Sequence, residues 1–112
     1  MLQLNNKAVS AAKQRIHQGL YADIRSTRVR PLDPADISDY IDRYGWDAYS
    51  SWFVAVDTDE DEFSAFRYRL PYGDLEEVSK VHLERSLREV DRYGDYKIES
   101  AISDLLNTLD ED

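Results

Sequence analysis

Between Asp57 and Tyr68 the chain reads DTDEDEFSAFRY, with carboxylates at alternate positions, Asp57, Asp59 and Asp61, and with Glu60 and Glu62 beside them. Oxygen ligands at loop positions one, three and five are how a helix-loop-helix calcium site begins. Such a site also needs glycine at position six for its sharp turn and a bidentate Glu at position twelve. Here those positions hold Glu62 and Tyr68. The residue that would supply two of the oxygens is missing, so the run is read as a charged surface and no metal is assigned to it.

Other chemistry is thinly represented. His17 and His82 belong to no HxxxH or HExxH pattern, so a histidine metal site cannot be assembled from them. For His82 the expectation is a packed ring with one hydrogen bond, whose displaced pKa would make it a modest pH sensor. The absence of cysteine removes thiolate nucleophiles, disulfides and Cys-ligated zinc, and it fits a reducing, cytoplasmic setting. Four glycines form no G-x-S-x-G, Walker A or G-x-G-x-x-G pattern. With 23 acidic residues in the chain, no single Asp or Glu pair stands out for acid-base work. The expectation is a protein that is not an enzyme and carries no cofactor. A carboxylate-based enzyme would need a deep pocket holding two acids with opposed pKa shifts.

The net charge of −9 is unevenly placed. Residues 1 to 30 carry six basic groups against Asp23 alone, a balance of +5, whereas the rest of the chain sets eight basic groups against 22 acidic ones, a balance of −14. A field of that sign repels nucleic acid and anionic membrane and favours basic partners. Arg25, Arg28 and Arg30 in RSTRVR form a secondary basic patch, read first as partners of the chain's own surplus carboxylates and second as contacts for phosphate or an acidic partner. The N-terminal MLQLNNKAVSAAKQR lacks the apolar run of a signal peptide, and no segment approaches the ~20 apolar residues of a membrane span, so a soluble protein with no membrane partner is expected.

The elements that would hold these groups read mostly as helices. Asn5 or Asn6 caps a first helix with Val9, Ala12, Ile16 and Leu20 on one face, and Gly19 stops it. Residues 21 to 32 read as a basic extended loop. Asp33 as N-cap, Pro34 at the first helical position and Asp36 in the first turn give the clearest helix start in the chain, with Ile37, Tyr40, Ile41 and Tyr44 as its stripe and Gly45 as its end. From Asp47 the spacing of Ala48, Tyr49, Trp52, Phe53 and Val56 predicts a third helix, a buried strand through WFVAV being the alternative. Trp46, Tyr49, Trp52 and Phe53 read as core, although any of them left exposed would be an interface anchor.

Asp57 or Thr58 would cap a helix that places the acidic run in its first turn, with Phe63 and Phe66 as apolar anchors. Leu70, preceding Pro71, is expected to be extended. Asp74 and Glu77 form a capping box for a helix over Leu75 to Val90, and Asp95 caps a last one with Ile98, Ala101, Ile102, Leu105 and Leu109 inward. Residues 110–112 are expected to fray. DRYG occurs at Asp42–Gly45 and again at Asp91–Gly94, but the flanks do not match. Both copies read as helix endings, with Tyr packed in the last turn and Gly beyond it.

At NNKAVSAAK, WDAYSSWFVAVDT and FRYRLPYGD the chain resembles a small bacterial domain of cyanobacterial proteins and prophage structural neighbourhoods, including ones beside capsid-maturation proteases. The resemblance lies in Asn6-Lys7-Ala8, in Trp46-Asp47-Ala48-Tyr49 with Trp52, in Asp57, and in Tyr68 followed by Pro71-Tyr72-Gly73. None of these is a catalytic signature, and the resemblance implies no active residues.

Taken together, the sequence predicts a mainly α-helical single domain over residues 1–112, a compact bundle of five or six short helices with room for one short strand or hairpin. The expected function is a non-catalytic acidic protein-binding module, an adaptor or regulator that engages a basic macromolecular surface. Asp57, Asp59, Glu60, Asp61 and Glu62, with Tyr68 and Tyr72 nearby, form the expected contact surface. The alternative is a phage-type inhibitor that mimics nucleic acid; direct nucleic-acid binding is not expected.

Overall fold

In a computed structural model, which describes residues 1–22 and 32–111, the chain is an α+β fold and not an all-α bundle. Strand β1 (Leu2–Leu4) leads into helix α1 (Asn6–His17). Helix α2 (Pro34–Ser50) is followed by β2 (Phe53–Asp57), a single 3-10 turn (Ala65–Arg67) and β3 (Tyr68–Pro71). Helices α3 (Lys80–Val90) and α4 (Tyr96–Glu111) complete the described elements. The strands form one antiparallel sheet in the order β1-β2-β3, with Leu4 opposite Ala55 and Val56 opposite Tyr68. A radius of gyration of 13.1 Å is that of one compact unit of this length.

The central strand is where the sequence misleads. Val54 and Ala55 are consecutive, so they face opposite sides of the sheet, and both are fully buried. A strand covered on both faces is an uninterrupted apolar run without alternation, and WFVAV fits the spacing of a wide helical face equally well. The predicted third helix therefore stops at Ser50, and Trp52 to Val56 become the turn and the strand. Helices α1 and α4 pack against β2, and α3 lies against β3 and α4. No helix opens at Asp57 or Thr58 either, because the acidic run is the loop joining β2 to β3.

Asn5 shows why β1 escapes a local reading. It occupies the N-cap of α1, yet its side chain makes no capping hydrogen bond. Its Nδ2 instead donates to the carbonyls of Ser50 (3.0 Å) and Phe53 (3.1 Å), while its backbone N–H donates to Val54 O at 2.7 Å. The junction of β1 and α1 is thereby tied to the junction of α2 and β2, far along the chain.

Elsewhere the capping reading meets mixed fortunes. Asp33 accepts the Asp36 N–H at 2.9 Å with Pro34 beside it, and Asp95 accepts the Ile98 N–H at 3.1 Å, as expected. Asp74 caps a tight turn and not a helix, accepting the N–H groups of Glu76 and Glu77; α3 begins at Lys80 under Ser79. The two DRYG copies do place glycine in left-handed backbone, φ 88° at Gly45 and 65° at Gly94, but Tyr93 is exposed, and so is Tyr44, whose ring lies 4.8 Å from that of Tyr40, centroid to centroid. Leu70 has φ 62°, held against the extended preference of a residue before proline by a side chain that is 2% exposed. Helix α4 runs to Glu111, into the stretch expected to fray, and Asp112 lies outside the described residues. Of the basic loop 21–32, Tyr21 bridges to Val78 and Ala22 N–H donates to Val78 O, whereas Arg25, Arg28 and Arg30 lie outside the described residues.

Gly73 is needed for close approach. A β-carbon there would overlap the Glu77 carbonyl oxygen and come within 2.8 Å of the Trp52 ring. Since the nearer obstacle is backbone, Gly73→Ala is expected to cost about 1–3 kcal/mol by overpacking. The check is a lower urea midpoint at unchanged slope.

Candidate functional site

The acidic residues divide into two groups. Asp57 Oδ1 and Asp59 Oδ2 accept from the Met1 ammonium at 2.9 and 2.5 Å, and Asp57 Oδ1 also takes the Asp59 N–H at 3.0 Å. Hydrogen bonding to that ammonium holds the Asp57 carboxyl below its usual pKa, and Asp59, then Asp57, raise the ammonium above its own. These two carboxylates are therefore engaged within the chain. Glu60, Asp61 and Glu62 are exposed and form no ion pair among the described residues.

What holds these three outward is the backbone beneath them. Arg67 Nη1 donates to Glu60 O (2.8 Å), Tyr68 Oη donates to Glu62 O (2.7 Å), and Asp61 Oδ1 accepts the Phe63 N–H (2.8 Å). Ser64 Oγ caps the 3-10 turn through Phe66 N–H. The carbonyls point inward to Arg67 and Tyr68, leaving the carboxylates in water. Tyr68 is thus half-buried under the loop, and burial raises its pKa.

Tyr72 is not brought to this surface. It is fully buried, donates to Ser51 O at 2.7 Å and accepts from Arg15 Nη1 at 2.5 Å. Burial pushes its phenol up to about 12 although Arg15 opposes the shift. Its ring stacks on Trp52 at 5.2 Å, and the Arg15 guanidinium lies 4.1 Å over the other residue of that pair, Trp52. Tyr72 is a residue of the core.

Trp46 and two phenylalanines take the place Tyr72 was expected to fill. Tyr49, Trp52 and Phe53 are buried, but Trp46 follows the kink at Gly45 and remains half-exposed. Phe63 and Phe66, expected as apolar anchors of a helix, are 66% and 72% exposed. Two hollows flank the Trp46 indole. One, of 240 Å³, is lined by Trp46, Asp47, Ser50, Glu62, Phe63 and Tyr68. The other, of 540 Å³, lies along α2 between Ile37, Ile41 and Phe66 with Asp42 at its edge. Phe63 and Tyr68 stand 6.4 and 6.0 Å from Trp46, centroid to centroid. The interface-anchor rule for exposed aromatics could have found Trp46; nothing local signals the hollows.

Among the described residues no group of three or more His, Asp or Glu side chains is arranged to hold a metal ion. His17 is exposed. His82 on α3 is 7% exposed, and its Nδ1, expected to hold a hydrogen bond, has no partner among the described residues.

Tyr72→Phe removes a donor from Ser51 O and an acceptor from Arg15, and should cost about 1–3 kcal/mol in denaturant unfolding. Burial lowers the His82 pKa, with Asp74 opposing and Arg85 adding to the shift. The unfolded chain therefore takes up the proton first: stability should hold above the ordinary histidine value of 6.5 and decline as pH falls below it toward the folded value. His82→Leu should flatten that part of a melting-temperature profile. No protein-family model matches the chain, and neither a curated protein nor a solved structure shows significant similarity to it, so its functional reading stands on the geometry.

Proposed function

We propose that this chain is a non-catalytic acidic adaptor that docks on a basic protein surface through the β2–β3 loop. The observation that carries the reading is the neighbourhood of Glu60, Asp61 and Glu62, exposed on a pinned backbone, and the exposed rings of Phe63 and Phe66. The carboxylates supply long-range attraction and orientation, and the aromatics supply area to bury once contact is made. These carboxylates are exposed on an open loop, a setting that favours binding over catalysis. Among the described residues no helix is long and apolar enough to cross a membrane. The lack of cysteine suits a cytoplasmic setting.

Glu60→Gln combined with Asp61→Asn removes two charges while leaving the Met1 contacts and both hollows intact. With the partner recovered from the native host by cross-linking and purified, the double variant should bind with an on-rate about three- to tenfold lower. Raising salt from about 0.1 to about 1 M shrinks the Debye length from about 10 to about 3 Å and should erase the difference. Equal on-rates at low salt would overturn this assignment. Displacement of the partner by duplex DNA would replace it with a nucleic-acid mimic.

A further inference from the structure

We infer that the two hollows beside Trp46 form a bipartite peptide site, one taking a cationic side chain and the other an apolar side chain from the same partner segment. The inference rests on the adaptor reading and names what the adaptor recognises. The smaller hollow is lined by the aromatic residues Trp46, Phe63 and Tyr68 together with the carboxylate residues Asp47 and Glu62. Aromatic faces attract cations through their quadrupole, and a carboxylate beside them supplies the countercharge. A guanidinium or ammonium suits such walls, whereas an anion meets two carboxylates and a neutral aliphatic group leaves Glu62 unpaired.

The chain supplies its own indication of that chemistry. Lys7 Nζ pairs with Asp47, so an ammonium is already accepted at this rim, from a side chain that stays half exposed and does not line the hollow. The larger hollow differs in kind. Ile37, Ile41 and Pro34 from α2 line it with Ala65 and Phe66, and among the described residues the one ionisable group in its lining is Asp42. Trp46 lines both hollows, so a single short segment that crosses the indole reaches both. The matching partner sequence places Arg or Lys near Leu, Ile or Phe, a common composition of basic amphipathic segments.

The experiment uses the full chain and three blocked probes: arginine amide, leucine amide, and peptides joining arginine to leucine through one to three glycines. Binding is followed by NMR at the two indole N–H signals, told apart by Trp46→Phe, and at the Ile37 and Ile41 methyls. Arginine amide should shift Trp46 but not Trp52, leucine amide should shift the Ile37 and Ile41 methyls, and at least one joined peptide should bind tenfold or more tighter than either alone. Phe63→Ala should remove the arginine response and Phe66→Ala the leucine response, each leaving the other, which separates loss of a hollow from loss of fold. An arginine response that bypasses Trp46 or survives both Phe63→Ala and Glu62→Gln, or joined peptides no tighter than arginine amide, overturns the site. A partner that still depends on Glu60 and Asp61 while the probes fail leaves the adaptor standing and removes this inference alone.

Discussion

The fold turns on one stack of three side chains drawn from distant parts of the chain. Arg15 of α1 lies over Trp52, Trp52 lies on Tyr72, and the Tyr72 hydroxyl joins Arg15 to the Ser51 carbonyl. The Trp52 indole N–H donates to Tyr40 of α2 at 2.9 Å, which brings the remaining layer into the same cluster. A cation held over an indole contributes about 0.5–2 kcal/mol and a hydrogen bond to a charged group about 1.5–3, so the stack is worth several ordinary core contacts. It ties α1 to the sheet, and its indole joins the Glu77 carbonyl in crowding any side chain at position 73.

That framework determines which parts of the loop are free to act. Because Trp52 is anchored, the short second segment of α2 after Gly45 has its direction fixed, and Trp46 at its start is turned toward the loop joining β2 to β3. Arg67 and Tyr68 then fasten that loop from below. The acidic run, uniform as sequence, is split by the fold: Asp57 and Asp59 pair with the Met1 ammonium, and the three residues after them are exposed.

The sequence disclosed those features whose cause is local. Asp33 with Pro34, and Asp95 with the stripe Ile98, Ile102, Leu105 and Leu109, specify their helices within a few residues, and α2 and α4 begin where they indicate. The sheet depends on causes that are not local. β1 is three residues long and acquires its identity from β2, more than fifty positions away, while β2 hides its period because both of its faces are covered. The same distinction governs the site. Exposed carboxylates were legible from charge density alone. Whether a tyrosine lies under α1 or under the loop was not, since Tyr68 and Tyr72 belong to one alternating pattern and are separated only by what packs over them.

The outer strands carry a consequence for how any partner can attach. β1 offers three residues before Asn5 turns the chain into a helix, and β3 offers four, ending in a proline that has no N–H to give. Among the described residues both margins of the sheet are short, which disfavours main-chain zippering of an extended guest along them. For a partner docked as proposed, selectivity would rest on side chains reading side chains, a mode that places few demands on the guest's backbone.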